Sequence, residues 1–204
     1  MTQTITGLFD SYDDARRAVQ DLEAAGVAHR DISIVGHDKR DANGAALEPA
    51  AREAGADASA GAGVGATVGG VGGLLAGLGL LAIPGIGPVV AAGWLAATAA
   101  GAVTGAVVGA AAGGLVGALT HAGVTEEDAH VYAEGVRRGG TLVTAKVDEP
   151  LAATARNILS DDRTVNVADR RQAYQAQGWT TFDDTAAPYS DRDMAAERAR
   201  YDQI

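Results

Sequence analysis

The alternation of apolar and polar residues predicts a β-α-β unit at the start of the chain. Thr4–Phe9 alternates as a strand, and Ser11 with Asp14 resembles a capping box at the start of a helix. That helix carries an apolar stripe, which stops at Gly26 and is formed by Ala15, Ala18, Val19 and Leu22. A second strand is predicted at Ile32–Val35.

A second β-α-β unit is predicted near the other end of the chain, after a helix that is capped by Thr125 with Asp128 and runs to about Arg138. The unit comprises a strand at Thr141–Val147, a helix at Pro150–Leu159 and a strand at Thr164–Val167. Two β-α-β units predict an α+β, ferredoxin-like sandwich. We expect the strands starting at Thr4 and Thr141 to be central, those near Ser33 and Val165 to lie at the edges, and the helices to cover one face.

Charge divides the chain into five segments, because no Asp, Glu, Lys or Arg occurs from Ala58 to Thr125. The uncharged stretch reads as an insert between the two halves of the sandwich. The predicted segments are the first half at 1–37, a polar linker at 38–57, the insert at 58–122, the second half at 123–170 and a polar tail at 171–204. We expect the tail to be largely irregular, with a last helix near Asp191–Tyr201.

Glycine recurs at every fourth position in two parts of the insert. The two series are Gly61, Gly65, Gly69, Gly73 and Gly77, and Gly101, Gly105, Gly109, Gly113 and Gly117. On a helix this spacing places the glycines near one face, where another backbone can approach closely. Between the series lies a strong helix breaker, formed by Pro84, Gly85, Gly87 and Pro88. The pattern predicts a glycine-zipper helical hairpin with its tip at these residues.

Glycine lowers the stability of such a helical hairpin when the hairpin has no partner. Each interior glycine costs a helix about 1 kcal/mol relative to alanine, so five cost an arm about 5 kcal/mol. Close packing or a bilayer would offset the cost. Gly61 to Ala82 would span roughly 33 Å as a helix, against about 30 Å of hydrocarbon, whereas the second arm, Val89 to Leu119, is longer than needed. We expect membrane lipid and a second copy of the chain as partners; the alternative is a soluble assembly of buried hairpins.

Charge and motif content exclude several classes of function. The net charge of −10 argues against nucleic acid as a partner, and the lack of cysteine excludes thiolate chemistry and cysteine metal sites. The sequence G-L-G-L-L-A at 77–82 follows no predicted strand, so we expect no dinucleotide site. We predict no catalytic residue, no metal and no cofactor, and we identify no small-molecule substrate.

Two charged stretches have both a structural and a functional interpretation. The acids of TEEDAH, Glu126, Glu127 and Asp128, are interpreted as first-turn residues that complement a helix dipole, rather than as metal ligands with His130. Arg137 and Arg138 could bind an anion, but cations at a helix C-terminus are equally expected there, and we favour that explanation. Tyr132 and Trp179 are interpreted as packing residues.

Four stretches of sequence carry a family resemblance. They are GLFDSYDDARRAVQDLEAAGV with DISIVG, the tip AIPGIGPVVAAG, and GLVGALTHAGVTEEDAHVYAEGVRRGGTLVTAKV. With these the chain resembles the bacterial general stress proteins, the heat-induced YflT-like family, and their glycine-zipper relatives, some called low-temperature-induced proteins. The resemblance implies a stress-linked bacterial protein that is not an enzyme, and it carries over no active residues.

The sequence leaves three functional hypotheses. The first is a stress-response protein held at the bacterial inner membrane by its hairpin, with a cytoplasmic domain and a tendency to form homo-oligomers. The second is a cytoplasmic, self-assembling scaffold whose hairpins bury one another. The third is a domain that senses a small ligand, and no sequence motif supports it.

Overall fold

The computed structural model describes residues 2–37, 79–95, 98 and 114–201. Its five strands are β1 (Thr2–Phe9), β2 (Ile32–His37), β3 (Gly79–Ile83), β4 (Gly87–Ala92) and β5 (Thr141–Asp148). The α-helices in this part of the chain are α1 (Tyr12–Ala24), α2 (Gly114–His121), α3 (Glu126–Arg137), α4 (Glu149–Ile158), α5 (Val167–Ala176) and α6 (Asp191–Tyr201). The mixed α and β content agrees with the predicted class.

The strands form one antiparallel sheet in the order β1-β5-β2-β4-β3. Strand β5 lies between β1 and β2, with Thr6 opposite Thr144 on one side and Ser33 opposite Thr144 on the other. The predicted interior place of the strand at Thr141 is therefore confirmed. The predicted central place of the strand at Thr4 is wrong, because β1 is the end strand of this sheet.

The predicted strand at Thr164–Val167 is absent. A single backbone bond joins this segment to the sheet, in which the Val165 amide donates to the Leu8 carbonyl over 2.8 Å. Asn166 then caps α5 by accepting from two backbone amides, so the chain turns into a helix where the strand would continue. Side-chain capping therefore outweighs the β-propensity of Val165 and Val167.

Helices cover both faces of the sheet. On one face α1 and α4 pack over an apolar layer that includes Phe9, Leu22, Ile34, Val143 and Leu159. On the other face α2 and α3 pack over a second layer, which includes Leu8, Val35, Leu119, Val136 and Leu142. The two helices of the predicted sandwich share one face as expected. The helix predicted from residue 125 lies on the opposite face.

The predicted helical hairpin is wrong at its tip. Residues 79–83 and 87–92 are the paired strands β3 and β4, and β4 also pairs with β2. The breaker forms the tight turn of a β-hairpin, with positive φ at Gly85 (73°) and Gly87 (97°). Valine at 89 and 90 favours a strand, and the edge of β2 supplies hydrogen-bond partners for one. The turn was correctly predicted, but the flanking elements were not.

The tail is more ordered than the sequence indicates. The last helix is confirmed at Asp191–Tyr201, but α5 and the segment that links it to α6 also pack against the domain. Tyr174, Phe182 and Met194 are buried there. Residues 177–190 are irregular as predicted, but the end of α5 and the packing of these large side chains against the domain were not predicted.

Candidate functional site

Most of the predicted zipper lies outside the described residues. This holds for Gly61, Gly65, Gly69, Gly73, Gly77, Gly101, Gly105, Gly109 and Gly113. Gly117 is described, and it lies within α2, which contacts α3. The packing role of the two glycine series therefore stays a prediction.

The tip residues lie against the tail. Pro84 and Pro88 are exposed, whereas Gly85 is buried. A Cβ at Gly85 would lie 2.6 Å from the Asp183 carbonyl oxygen, and one at Gly87 would lie 3.0 Å from Pro188. The absence of a side chain at Gly85 therefore allows the backbones of the turn and the tail to meet.

Glycines in the EGVRRGG stretch of α3 have a packing role. A Cβ at Gly135 would lie 2.5 Å from the Leu8 side chain, and one at Gly140 would lie 2.9 Å from the Gly135 carbonyl oxygen. Gly139 ends the helix with φ at 99°. These glycines let α3 lie close on β1 and turn sharply into β5.

Arg138 in the same stretch is the centre of a buried ionic network. It donates to Glu134 over 2.6 Å, to Gln177 over 2.6 Å and to Glu197 over 3.2 Å. Its guanidinium also lies 4.1 Å from the ring centroid of Tyr174. Glu134 is 1% exposed and Glu197 is 6% exposed, and Arg138 is the residue that contacts both carboxylates; Arg137 also pairs with Glu134, and Arg200 with Glu197. The network joins α3 to α5 and α6.

Two further arginines hold the tail. Arg137 donates to the Ala187 carbonyl over 3.1 Å, and its guanidinium lies 5.1 Å from the Tyr189 ring. Arg170 binds Asp10 in a bidentate pair of 2.8 and 2.6 Å. Since Arg137 and Arg138 are both engaged by protein groups, the structural explanation of this pair is favoured over an anion site.

Burial under the tail changes the acid-base behaviour of His37. The ring is 8% exposed at the end of β2. Burial lowers its pKa below the usual value; Asp191 acts in the opposite direction, and Arg198 adds to the lowering. His37 is therefore held neutral beneath α6. Nothing in the spacing of the histidines along the chain indicates this position.

The TEEDAH acids begin α3 as predicted. The Thr125 hydroxyl accepts from the Asp128 amide over 3.2 Å, which confirms the cap. Arg171 binds Glu127 over 2.7 Å and Asp128 over 2.5 Å. No group of three potential metal-ligating side chains occurs within the described ranges. These acids thus serve the helix start and the attachment of α5.

An open pocket of about 400 Å³ lies between this helix start and the tail. His130 lines it and pairs with the Thr181 hydroxyl over 3.0 Å, and Trp179 forms another part of the wall. Trp179 packs edge-on against Tyr174, with 5.7 Å between ring centroids. Its side chain is therefore a packing residue, as predicted.

The comparison with protein families decides the identification. Residues 4–82 match the family model described as the heat induced stress protein YflT domain. Residues 4–82, which are 79 of the 204 residues, are similar to the YflT domain. This match supports its place among the general stress proteins. The comparisons with curated proteins and with solved structures found no match.

The YflT match and the tail network occupy different parts of the chain. The match begins in β1 and ends in β3, whereas Arg138, its carboxylate partners and the whole tail lie beyond residue 82. Within the described ranges, no helix combines the length and apolar content needed to cross a membrane. The YflT match therefore supports a role in stress response. It gives no information on the tail or on the part of the insert beyond residue 82.

Proposed function

We propose that this YflT protein acts in the stress response without catalysis, by self-association through its two glycine-repeat segments. The observation that carries the proposal is the position of the tip. Pro84–Pro88 is part of a β-hairpin that is built into the domain sheet. The two glycine series thus belong to two separate segments of the chain, one before and one after this hairpin.

The separation limits what each segment can reach. Residues 96–113 connect Leu95 to α2, so both ends of this 18-residue segment are fixed to the same domain. As a helix it would span about 27 Å, whereas crossing a bilayer and returning needs about 20 apolar residues each way. Its glycine face is therefore better matched to another protein backbone than to a transmembrane path.

The first segment supports the same conclusion. Residues 38–78 connect β2 to β3, and their uncharged part begins at Ala58. This part, 58–78, provides one bilayer crossing but not a return. A glycine face that meets a second glycine face instead recovers dispersion contacts over several turns, which offsets the propensity cost of glycine. A second copy of the chain offers that surface.

The mass of the protein in detergent-free buffer tests this proposal. We expect light scattering after gel filtration to give a multiple of 20.5 kDa for the intact chain. Gly105→Leu with Gly109→Leu places bulk on the glycine face and should lower the mass. Val107→Leu with Ala111→Leu adds bulk on the opposite face and should leave it unchanged. A monomeric intact chain, or equal masses for the two variants, would contradict the proposal.

Membrane association is a second candidate, favoured by the absence of charged residues from Ala58 to Thr125. In this form the insert attaches the protein to the bacterial inner membrane and the domain stays in the cytoplasm. Flotation with vesicles of anionic phospholipid tests it. Recovery of the intact chain with the vesicles supports attachment, and complete recovery in the lipid-free fraction opposes it.

We also propose that the domain frame is a ferredoxin-like sandwich with a reduced last strand. The antiparallel order β1-β5-β2 supports this relation, as does the single bond from Val165 to Leu8 beside β1. The β3-β4 hairpin then extends the sheet beyond β2. Hydrogen exchange tests the frame: we expect strong protection in β5 and weak protection at Val165.

A further inference from the structure

The face of the sheet that carries α2 and α3 changes from apolar to polar along the strands. Leu8 and Leu142 lie in its apolar layer. Two residues further along this face, Thr6 lies opposite Thr144, and Thr4 then lies opposite Lys146. Side chains at alternate positions share a face, so these hydroxyls and the ammonium lie on the same face of the sheet as Leu8 and Leu142, on which α3 packs. We call Thr6, Thr144, Lys146, Trp94 and Tyr132 the hydroxyl patch.

Two residues of the hydroxyl patch are buried although they are polar, and Thr6, Trp94 and Lys146 are partly buried. Thr144 is 0% exposed, and Tyr132 is 7% exposed. The hydroxyls of Thr6 and Thr144 and the indole nitrogen of Trp94 are buried without a hydrogen-bond partner in the described part of the chain. An unpaired buried hydroxyl destabilises a fold, and valine fits a strand at the same volume. The three unpaired donors lie on one face of the sheet and are available to a bound group.

The charge at the patch specifies which kind of group. The Lys146 ammonium lies 3.7 Å from the ring centroid of Trp94. Within the described ranges it has no carboxylate partner, unlike Arg138, Arg163 and Arg170. Burial raises the pKa of Tyr132 to about 12, so its hydroxyl remains neutral beside Thr6. One cation on the same face as the hydroxyl and indole donors is suited to an anion with several oxygens.

We propose that the hydroxyl patch binds a small oxyanion, a phosphate or a carboxylate, between the sheet and α3. Lys146 supplies the charge, while Thr6, Thr144 and Trp94 supply directional donors. The neighbouring Ser33 is not part of the site, because its hydroxyl donates to the Ala92 carbonyl over 2.6 Å and accepts from the Leu95 amide over 3.2 Å. These bonds fix Trp94 over the patch.

Trp94 provides the assay, since the chain has only one other tryptophan. In full-length protein carrying Trp179→Phe, we expect sodium phosphate to change the Trp94 fluorescence saturably, because the anion draws Lys146 away from the ring. Sodium chloride at equal ionic strength should not. Vesicles of phosphatidylglycerol form a separate arm: a response to vesicles alone assigns the site to a lipid headgroup, and a response to inorganic phosphate assigns it to a free anion.

Three substitutions in the same background complete the test. Lys146→Gln should weaken the response about tenfold or more, as expected for loss of a charged hydrogen bond. Thr144→Val should weaken binding while keeping or raising the midpoint of thermal unfolding, a combination that a packing role does not produce. Arg16→Gln, on the exposed side of α1, is the matched control. No saturable response in either arm, or an equal response from Lys146→Gln, would overturn the proposal.

Discussion

Replacing Arg138 by methionine tests whether the buried network holds the tail. Methionine keeps much of the side-chain length but removes the only charge in contact with both Glu134 and Glu197. The two carboxylates are 1% and 7% exposed, so solvent cannot replace the lost partner. Arg137 and Arg200 remain at their edges, at 3.3 and 2.6 Å, and provide partial compensation.

The expected loss follows from this burial. Breaking a buried ion pair by removing one partner costs about 3–5 kcal/mol, since a charge remains in a poorly solvated place. For a chain of this size, each kcal/mol lowers the unfolding midpoint by about 2–4 °C. We therefore expect Arg138→Met to lower the midpoint by about 6–20 °C, measured by circular dichroism and by urea titration.

A surface arginine gives the matched control. Arg163 binds Asp161 and Asp21, and the three side chains are 28%, 24% and 50% exposed. Arg163→Met should cost about 1 kcal/mol or less, as exposed ion pairs do. Adding Glu134→Leu and Glu197→Leu to Arg138→Met should recover most of the loss, because no buried charge then remains. Equal losses from Arg138→Met and Arg163→Met would refute the reasoning.

Three further predictions concern backbone, capping and pH. Gly93→Ala should cost about 2 kcal/mol or more, because φ is 88° and the new Cβ would clash with the backbone of Ile32 and Ser33 in β2, whereas Gly26→Ala, at 95° in open space, should cost less; urea titration compares them. Thr125→Ala should cost about 1 kcal/mol and Ser11→Ala close to none, since only Thr125 makes a cap bond; thermal unfolding measures both. Burial lowers the folded-state pKa of His37, so the unfolded chain binds the proton first as the pH falls below about 6.5, and stability decreases toward acid. His37→Gln should flatten urea stability between pH 7 and 5, and an unchanged slope would contradict this assignment.

Local periodicity was sufficient for much of the domain. The helices α1, α3 and α4 and the strand β5 begin and end within about two residues of their predicted bounds, because each combines a buried apolar stripe with clear stop signals. Glycine at 26 and 139 ended α1 and α3 as expected. Each of these signals lies within one turn or one strand, so it can be recognised in the sequence without knowledge of the three-dimensional structure.

Predictions that depend on distant partners failed. The breaker at Pro84–Pro88 identified a reversal of the chain, but a reversal is compatible with paired strands or paired helices. The free edge of β2, about fifty residues earlier, decided the outcome. Arg138 does lie at a helix end as predicted, but its bonds to Gln177 and Glu197, 39 and 59 residues further on, were not predicted. The distance along the chain between Arg138 and these two residues does not indicate that they are in contact.

The tail packs against the turn that separates the two glycine segments, and this contact bears on the choice between self-association and membrane insertion. Ile86, at the turn between those segments, is 0% exposed in the same apolar cluster as Phe182 of the tail. Withdrawing the turn from the sheet would expose both side chains and separate Gly85 from Asp183. Burying each large apolar side chain is worth about 1.5–3 kcal/mol, and the β4 hydrogen bonds would be lost as well. Inserting the tip into a bilayer therefore requires partial unfolding of the domain, whereas pairing of glycine faces between folded copies does not.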